Sequence, residues 1–358
     1  MGNYCACLAE KPTEVKTMKT DLTNSKAKTE AESEDFEMVI SNITITPTPK
    51  DIGRYLLKTA AKGYMEKKDL IEEEDEDFPF ENFKEPISKL LSSNVQYIEN
   101  RYGEFAFPDI KIDSNDVEYK SAVILEDGSV YEGEWDLKTL KPHGKGILID
   151  KNGTKYVGFF RQGKKDQYGR TICSDGKMYE GKFKHGKPIG KGLLVNENGE
   201  EFKGKCDSGF PNGKGIFKYS NGDVVDGEFT NGRIHGYAKL TKSDGSFYEG
   251  EFKDNHIERK GFYKWSNGNQ YNGEWINGKM TGFGEFKFND GKRYVGEFYR
   301  DIRNGYGEFF WPDGRIYKGN WVNGKQDGIG EFTFTDVKTK LDKTMKGEWV
   351  KGKRVKWL

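Results

Sequence analysis

Three residues near the start of the chain could take a covalent modification. Gly2 follows a removable Met, which is the acceptor position for myristate. Cys5 and Cys7 lie where a chain already held at a bilayer would receive palmitate through a thioester. One myristoyl chain binds only marginally, with K on the order of 10⁴ M⁻¹, so a stable anchor needs a second signal. A polybasic patch is a poor second signal here, because Glu10, Glu14 and Asp21 interrupt Lys11, Lys16 and Lys19. The two cysteines can supply it. The spacing of Gly2, Cys5 and Cys7 therefore favours dual acylation over an ordinary initiator segment with two incidental thiols. Ala6 departs from the Ser or Thr usual at that position.

Nucleophilic, metal and nucleotide chemistry find no support. His143, His185, His235 and His256 each fall in or beside a loop, with no nucleophile or metal partner brought to one cleft. Cys173 and Cys206 fall singly in separate repeats, and the sequence spacing suggests neither a CxxC zinc pattern nor a disulfide framework. Gly213-Lys214-Gly215 lies inside a strand pair, so it is not a phosphate-cradling GxGxxG between strand and helix. The acidic run Glu72 to Asp77 lacks the loop chemistry of a calcium hand and reads as a solvated linker. A nucleic-acid stripe would not tolerate the carboxylates of Glu132-Gly133-Glu134 and Glu249-Gly250-Glu251. The expectation is a non-enzyme with no cofactor, no metal and no nucleic-acid partner.

The elements that carry the remaining residues are set by a repeat. Tyr271-Asn272-Gly273-Glu274-Trp275 recurs as Tyr294-Val295-Gly296-Glu297-Phe298 and as Tyr317-Lys318-Gly319-Asn320-Trp321, each 23 residues on. Upstream the frame gives Tyr248-Gly250-Phe252, Val225-Gly227-Phe229, Phe202-Gly204, Tyr179-Gly181-Phe183, Tyr156-Gly158-Phe160 and Tyr131-Gly133-Trp135. A worn last copy is Gly347-Glu348-Trp349. Such self-similarity means a repeat array. Alternation along each copy has period two, so each copy is built from strands. Asn-Gly or Asp-Gly recurs in register from 127–128 to 313–314, and that dipeptide predicts two-residue type I′ hairpin turns. Each repeat is thus two antiparallel strands. The glycines between the rings predict close approach of a neighbouring ring, since Gly otherwise weakens a strand. One face should carry an aromatic groove and the other charged side chains. The groove residues are Tyr271, Trp275, Tyr294, Phe298, Phe309, Trp311, Tyr317 and Trp321.

On these residues the chain resembles the MORN-repeat family: Y-x-G-x-W/F-x-x-G with a later G-x-G, recurring over residues 119–358. Cys206 stands for the second aromatic, Val225 for the Tyr, and Ala238 and Arg259 for glycines. The ending, Lys346-Gly347-Glu348-Trp349 through Lys356-Trp357-Leu358, also resembles that of small protist MORN proteins labelled as related to phosphatidylinositol-phosphate kinases. The chain has no room for a kinase domain, so no kinase activity is expected. The resemblance implies an all-β fold of tandem MORN hairpins in one elongated, twisted antiparallel sheet. It implies a scaffold at the cell cortex, cilium or flagellum that links membrane to cytoskeleton. It also implies phospholipid binding, against which the mixed charge of the strands weighs.

Composition fits a thin array. Hydrophobic residues make up only 34% of the chain and the mean hydropathy is −0.86, too polar for a large globular core. Residues 1–118 carry 15 Lys+Arg against 25 Asp+Glu, and the remainder 43 against 33. That asymmetry suits a tail–body or membrane interaction. Residues 1–35 read as an acylated, disordered tether. Residues 36–118 read as an extension with a strand at 36–46, a helix at 52–71, the acidic linker, and a second helix opened by Pro86. Ile87, Leu90, Leu91, Val95 and Ile98 share one face of that second helix, which should pack on the first repeats and cap the sheet edge. The array, 119–358, holds nine to ten repeats.

Residues 1–20 lack the apolar core of a secretory signal, and no run approaches the roughly 18 apolar residues of a spanning helix. The leading expectation is a non-enzymatic, membrane-anchored scaffold on the cytoplasmic face of the plasma or ciliary membrane. Its partners would be the bilayer through acyl groups, a protein or another copy through the groove, and anionic phospholipid as a further option. The alternatives are a lipid-independent component of an axonemal or cytoskeletal assembly, and a regulatory module for a lipid kinase.

Overall fold

The computed structural model describes residues 78–111 and 117–358. Gly2, Cys5, Cys7, the tether, the strand at 36–46, the helix at 52–71 and the acidic run lie outside the described residues. The described residues fall into two compact units, with the boundary between Glu201 and Phe202. Twenty-two strands are present among the described residues, and every pairing in each unit is antiparallel. Tandem hairpins are what the repeat period predicts.

One repeat shows the register. The Gln270–Ile276 strand pairs with Lys279–Lys287, so that Tyr271 faces Phe286, Gly273 faces Gly284 and Trp275 faces Met280. Two extra residues are absorbed between Gly284 and Met280, which places Gly282 at φ 75° in a bulge. In equivalent bulges a carboxylate satisfies the freed amide. Glu134 accepts from the Lys145 N–H at 2.6 Å, and Glu297 from the Tyr306 N–H at 3.1 Å. The Glu one residue before the second aromatic is therefore part of the hairpin's own wiring.

The turns differ from expectation. At Asn267-Gly268 the Trp265 carbonyl accepts from the Gly268 N–H at 2.9 Å, and only Gly268 takes a positive φ, 92°. This is a three-residue loop with glycine in its left-handed position. Asn267 Oδ1 accepts from the Asn269 N–H at 3.0 Å, which fixes the side chain on its own turn. The type I′ turns sit at the opposite end of the hairpins. Asn277 at φ 49° and Gly278 at 73° form one, and Arg300 at 48° with Asp301 at 74° holds the same shape without glycine.

In the unit that ends at Glu201, a short strand, Glu81–Asn82, pairs with Val117–Ile124 and covers the sheet edge. Ile87–Leu90 forms a 3₁₀ turn, and the helix itself runs Ser93–Tyr102. It starts later than Pro86 predicts because Ser92 accepts from the Val95 amide at 3.3 Å and caps it there. Val95 and Ile98 are buried against Ile172, Met178 and Val195, with Leu91, Tyr102 and Leu193 packed at the margin. The helix thus lies on the sheet face rather than at its edge. Ion pairs Lys155–Glu99 and Arg101–Glu201 (3.1 Å) flank it. Phe105 then stacks on Tyr168 with centroids 6.0 Å apart, and Phe107 meets Phe159 edge-on at 5.6 Å. All of this lies on the face opposite the tyrosine rings.

Candidate functional site

The Phe202–Leu358 unit carries all eight aromatic residues singled out from the sequence. They come together on one face because Tyr, Gly and the second aromatic alternate along each strand. The Tyr271 ring lies over Gly273 and Gly284, where an added Cβ would collide with the ring and its hydroxyl. The hydroxyl donates to the Glu274 carbonyl at 3.0 Å, and Tyr294 does the same to Glu297 at 3.0 Å. Each ring is then wedged edge-on between two others. Tyr271 touches Trp275 (5.0 Å) and Phe298 (5.2 Å), Tyr294 touches Phe298 (5.1 Å) and Trp321 (5.3 Å), and Tyr317 touches Trp321 (5.5 Å) and Trp349 (5.0 Å). Trp275 Nε1 donates to the Gly261 carbonyl and Trp321 Nε1 to that of Gly307.

This interlocking leaves little surface. Tyr271, Trp275, Tyr294, Phe298, Phe309, Tyr317 and Trp321 are all at most 5% exposed. They hold the sheet together and offer no free ring face. Burial pushes the Tyr271 and Tyr294 hydroxyls well above their ordinary pKa, and that of Tyr317 up to about 12.

Trp311, the eighth, is only half-buried, and it belongs to a row. Trp265, Phe288, Trp311 and Phe334 recur at 23-residue steps on this same face, and all four are half-buried. Three lean on a buried ring two residues before them, Trp265 on Tyr263 (4.5 Å), Phe288 on Phe286 (4.6 Å) and Trp311 on Phe309 (4.6 Å), and Phe334 leans on the half-buried Phe332 (6.0 Å). Trp265, Phe288 and Phe334 were not singled out from the sequence. Their signal was present, since each stands just ahead of a turn, where other repeats have Asp150, Asn196 and Lys242.

Arg303 brings a charge to the same face. Its guanidinium lies 4.5 Å from the Trp321 ring centre and 5.3 Å from that of Phe309, and it donates to the Gly324 carbonyl at 2.9 Å. Burial lowers its pKa to about 10, so it stays a cation at neutral pH. The opposite face pairs its own charges: Arg293–Glu285 at 3.1 Å, Lys287–Glu285 at 3.3 Å and Lys318–Glu308 at 3.0 Å. A free basic stripe for phosphates is not formed by these residues.

The histidines stay apart. His143 is buried beside Gln162, while His235 faces Asp254 at 3.4 Å in solvent. Among the described residues no three His, Cys, Asp or Glu side chains are grouped to hold a metal, and no helix is long and apolar enough to cross a membrane.

A family model described as MORN repeat matches nine consecutive segments: 141–155, 156–178, 179–201, 207–224, 226–247, 248–270, 271–293, 294–314 and 317–336. No curated protein matches the chain. Among solved structures, the SAS-4 (dCPAP) TCP domain of Drosophila melanogaster, in complex with a proline-rich motif of Ana2 (dSTIL), is 13% identical. It aligns over 61% of this chain and 98% of its own, with a TM-score of 0.23. A virginiamycin B lyase from Staphylococcus aureus is 10% identical over 67% of this chain and 88% of its own, with a TM-score of 0.13. At such scores neither likeness bears on function.

Proposed function

The chain belongs to the MORN-repeat family, and from that premise we propose that it is a non-enzymatic scaffold, held at the cytoplasmic face of a membrane and binding a protein partner through its ring face. The observation that carries this reading is the row Trp265, Phe288, Trp311 and Phe334. Large aromatic side chains left half-covered, one per repeat and on one face, are the anchors that protein interfaces favour. The buried Tyr263, Phe286 and Phe309 beneath three of them give that row a rigid floor, so little ordering entropy opposes binding. Gly2, Cys5 and Cys7 supply the membrane attachment. The self-paired charges of the opposite face favour a protein over anionic phospholipid as the ligand of the repeats.

Acylation is tested by intact mass of the native chain and by Gly2→Ala carrying a C-terminal fluorescent tag. The wild type should carry acyl mass and sit at plasma or ciliary membrane, and Gly2→Ala should disperse. A chain with no acyl mass, and a Gly2→Ala variant that does not move, would favour the second reading. That reading, a lipid-independent component of an axonemal or cytoskeletal assembly, gains from Ala6 in place of Ser or Thr.

A further inference from the structure

The face opposite the rings was expected to be charged, and in the last repeats it carries exposed apolar side chains among its ion pairs. Phe283, Tyr306 and Ile329 lie there at 23-residue steps, each more than half exposed. A second row, Ile276, Tyr299 and Val322, runs beside it, with an open hollow of about 410 Å³ between Ile276 and Tyr299. Earlier repeats are polar at this second position: Arg161, Lys184, Asp207, Thr230 and Lys253. Exposed apolar side chains gathered on one face mark an interaction site.

The chain itself shows what such a row takes. The counterpart of Phe283 and Tyr306 in the unit ending at Glu201 is Tyr168, and there Phe105 of Gly103-Glu104-Phe105-Ala106-Phe107 stacks on it. No helix or strand is formed by that covering segment. Arg170, paired with Glu180 of the sheet, holds it by lying over Phe105 at 5.9 Å and donating to the Gly103 carbonyl. In the last repeats the counterparts of Arg170 are Glu285, Glu308 and Glu331. Where Arg170 donates to a backbone carbonyl, these carboxylates can only accept, and a basic ligand supplies the donors. The present partners of these carboxylates are partly exposed lysines and an arginine, and such pairs exchange at small cost. Phe283 and Tyr306 are two strands apart, about 9.6 Å, which three residues of polyproline II chain span at about 3.1 Å each, with every third side chain on one side.

We propose that this face of the Phe202–Leu358 unit binds a basic segment of a partner protein in the polyproline II conformation, with an apolar side chain at every third residue seated on Phe283, Tyr306 and Ile329. This goes beyond the ring-face reading and does not rest on it. The probe is a synthetic peptide with Phe at every third position and Lys between, beside the same peptide with Glu for Lys. Each is titrated into the full chain by fluorescence anisotropy. The Lys peptide should bind and the Glu peptide should not. The triple variant Phe283→Ser, Tyr306→Ser, Ile329→Ser should lose about tenfold or more in affinity with an unchanged melting temperature. Glu285→Lys with Glu308→Lys should reverse the preference, and Trp311→Ser, on the other face, should leave it unaltered. Equal binding of the two peptides, full affinity in the triple variant, or a dimer of the chain that the triple variant dissolves would each overturn the proposal.

Discussion

Tyr271 and Gly284 form one unit: the ring occupies the space a Cβ would need. The chain contains its own control. Where Val225 replaces the Tyr, the counterpart of Gly284 is Ala238, and both are fully buried. A smaller first residue admits a larger second one. Gly284→Ala alone should cost about 1–3 kcal/mol by overpacking. Tyr271→Val with Gly284→Ala should cost less than the sum of the two single losses, read from urea denaturation. Strictly additive losses would show that the ring and the glycine are not coupled. The repeat was plain in the sequence, and so was the close approach at its glycines. That the same rings would be closed off from solvent was not, because burial depends on the next repeat's aromatic wedging in from a strand 23 residues away.

The Ser93–Tyr102 helix shows what an element borrows from the sheet. Its apolar residues were legible as a 3.6-residue stripe, but its start was not. Pro86 signals a helix opening, yet Ser92 provides the cap, and local signals of this kind compete until packing selects one. The turns mislead in a similar way. Asn-Gly allows two loop lengths, and the choice follows from hydrogen bonds such as Asn267 to Asn269. Val95 has no exposed surface and Leu91 sits at the cluster's margin. Val95→Asp should therefore destabilise by about 2–4 kcal/mol, and Leu91→Asp by less, on thermal melts of the full chain. Tyr97→Asp, at an exposed site on the same helix, should change little. Equal effects at all three positions would show that the helix does not dock through this stripe.

At the scale of the whole molecule, the repeated tyrosines make stability depend on alkaline pH. An unfolded Tyr ionises near pH 10. Burial raises the folded value at Tyr131, Tyr156, Tyr248, Tyr271 and Tyr294, and at Tyr317 to about 12. Between those values the folded chain keeps protons that the unfolded chain releases. The tyrosines' contribution is complete below pH 10 and declines above it, that of Tyr317 being lost as pH rises through about 12. Denaturation midpoints from pH 9 to 12 should fall, and Tyr→Phe at 271, 294 and 317 should flatten the fall. Midpoints that stay level would mean that these hydroxyls are not sequestered.

The function reading turns on whether the half-buried aromatic row meets a protein. A photo-crosslinking residue placed at Trp311 in the full chain, inside its native cells, addresses that directly, with Lys253 on the opposite face as control. Irradiation should give a discrete heavier adduct from position 311 and none of the same mass from position 253. No adduct at 311, or one identical adduct from both positions, would contradict a partner seated on the ring face.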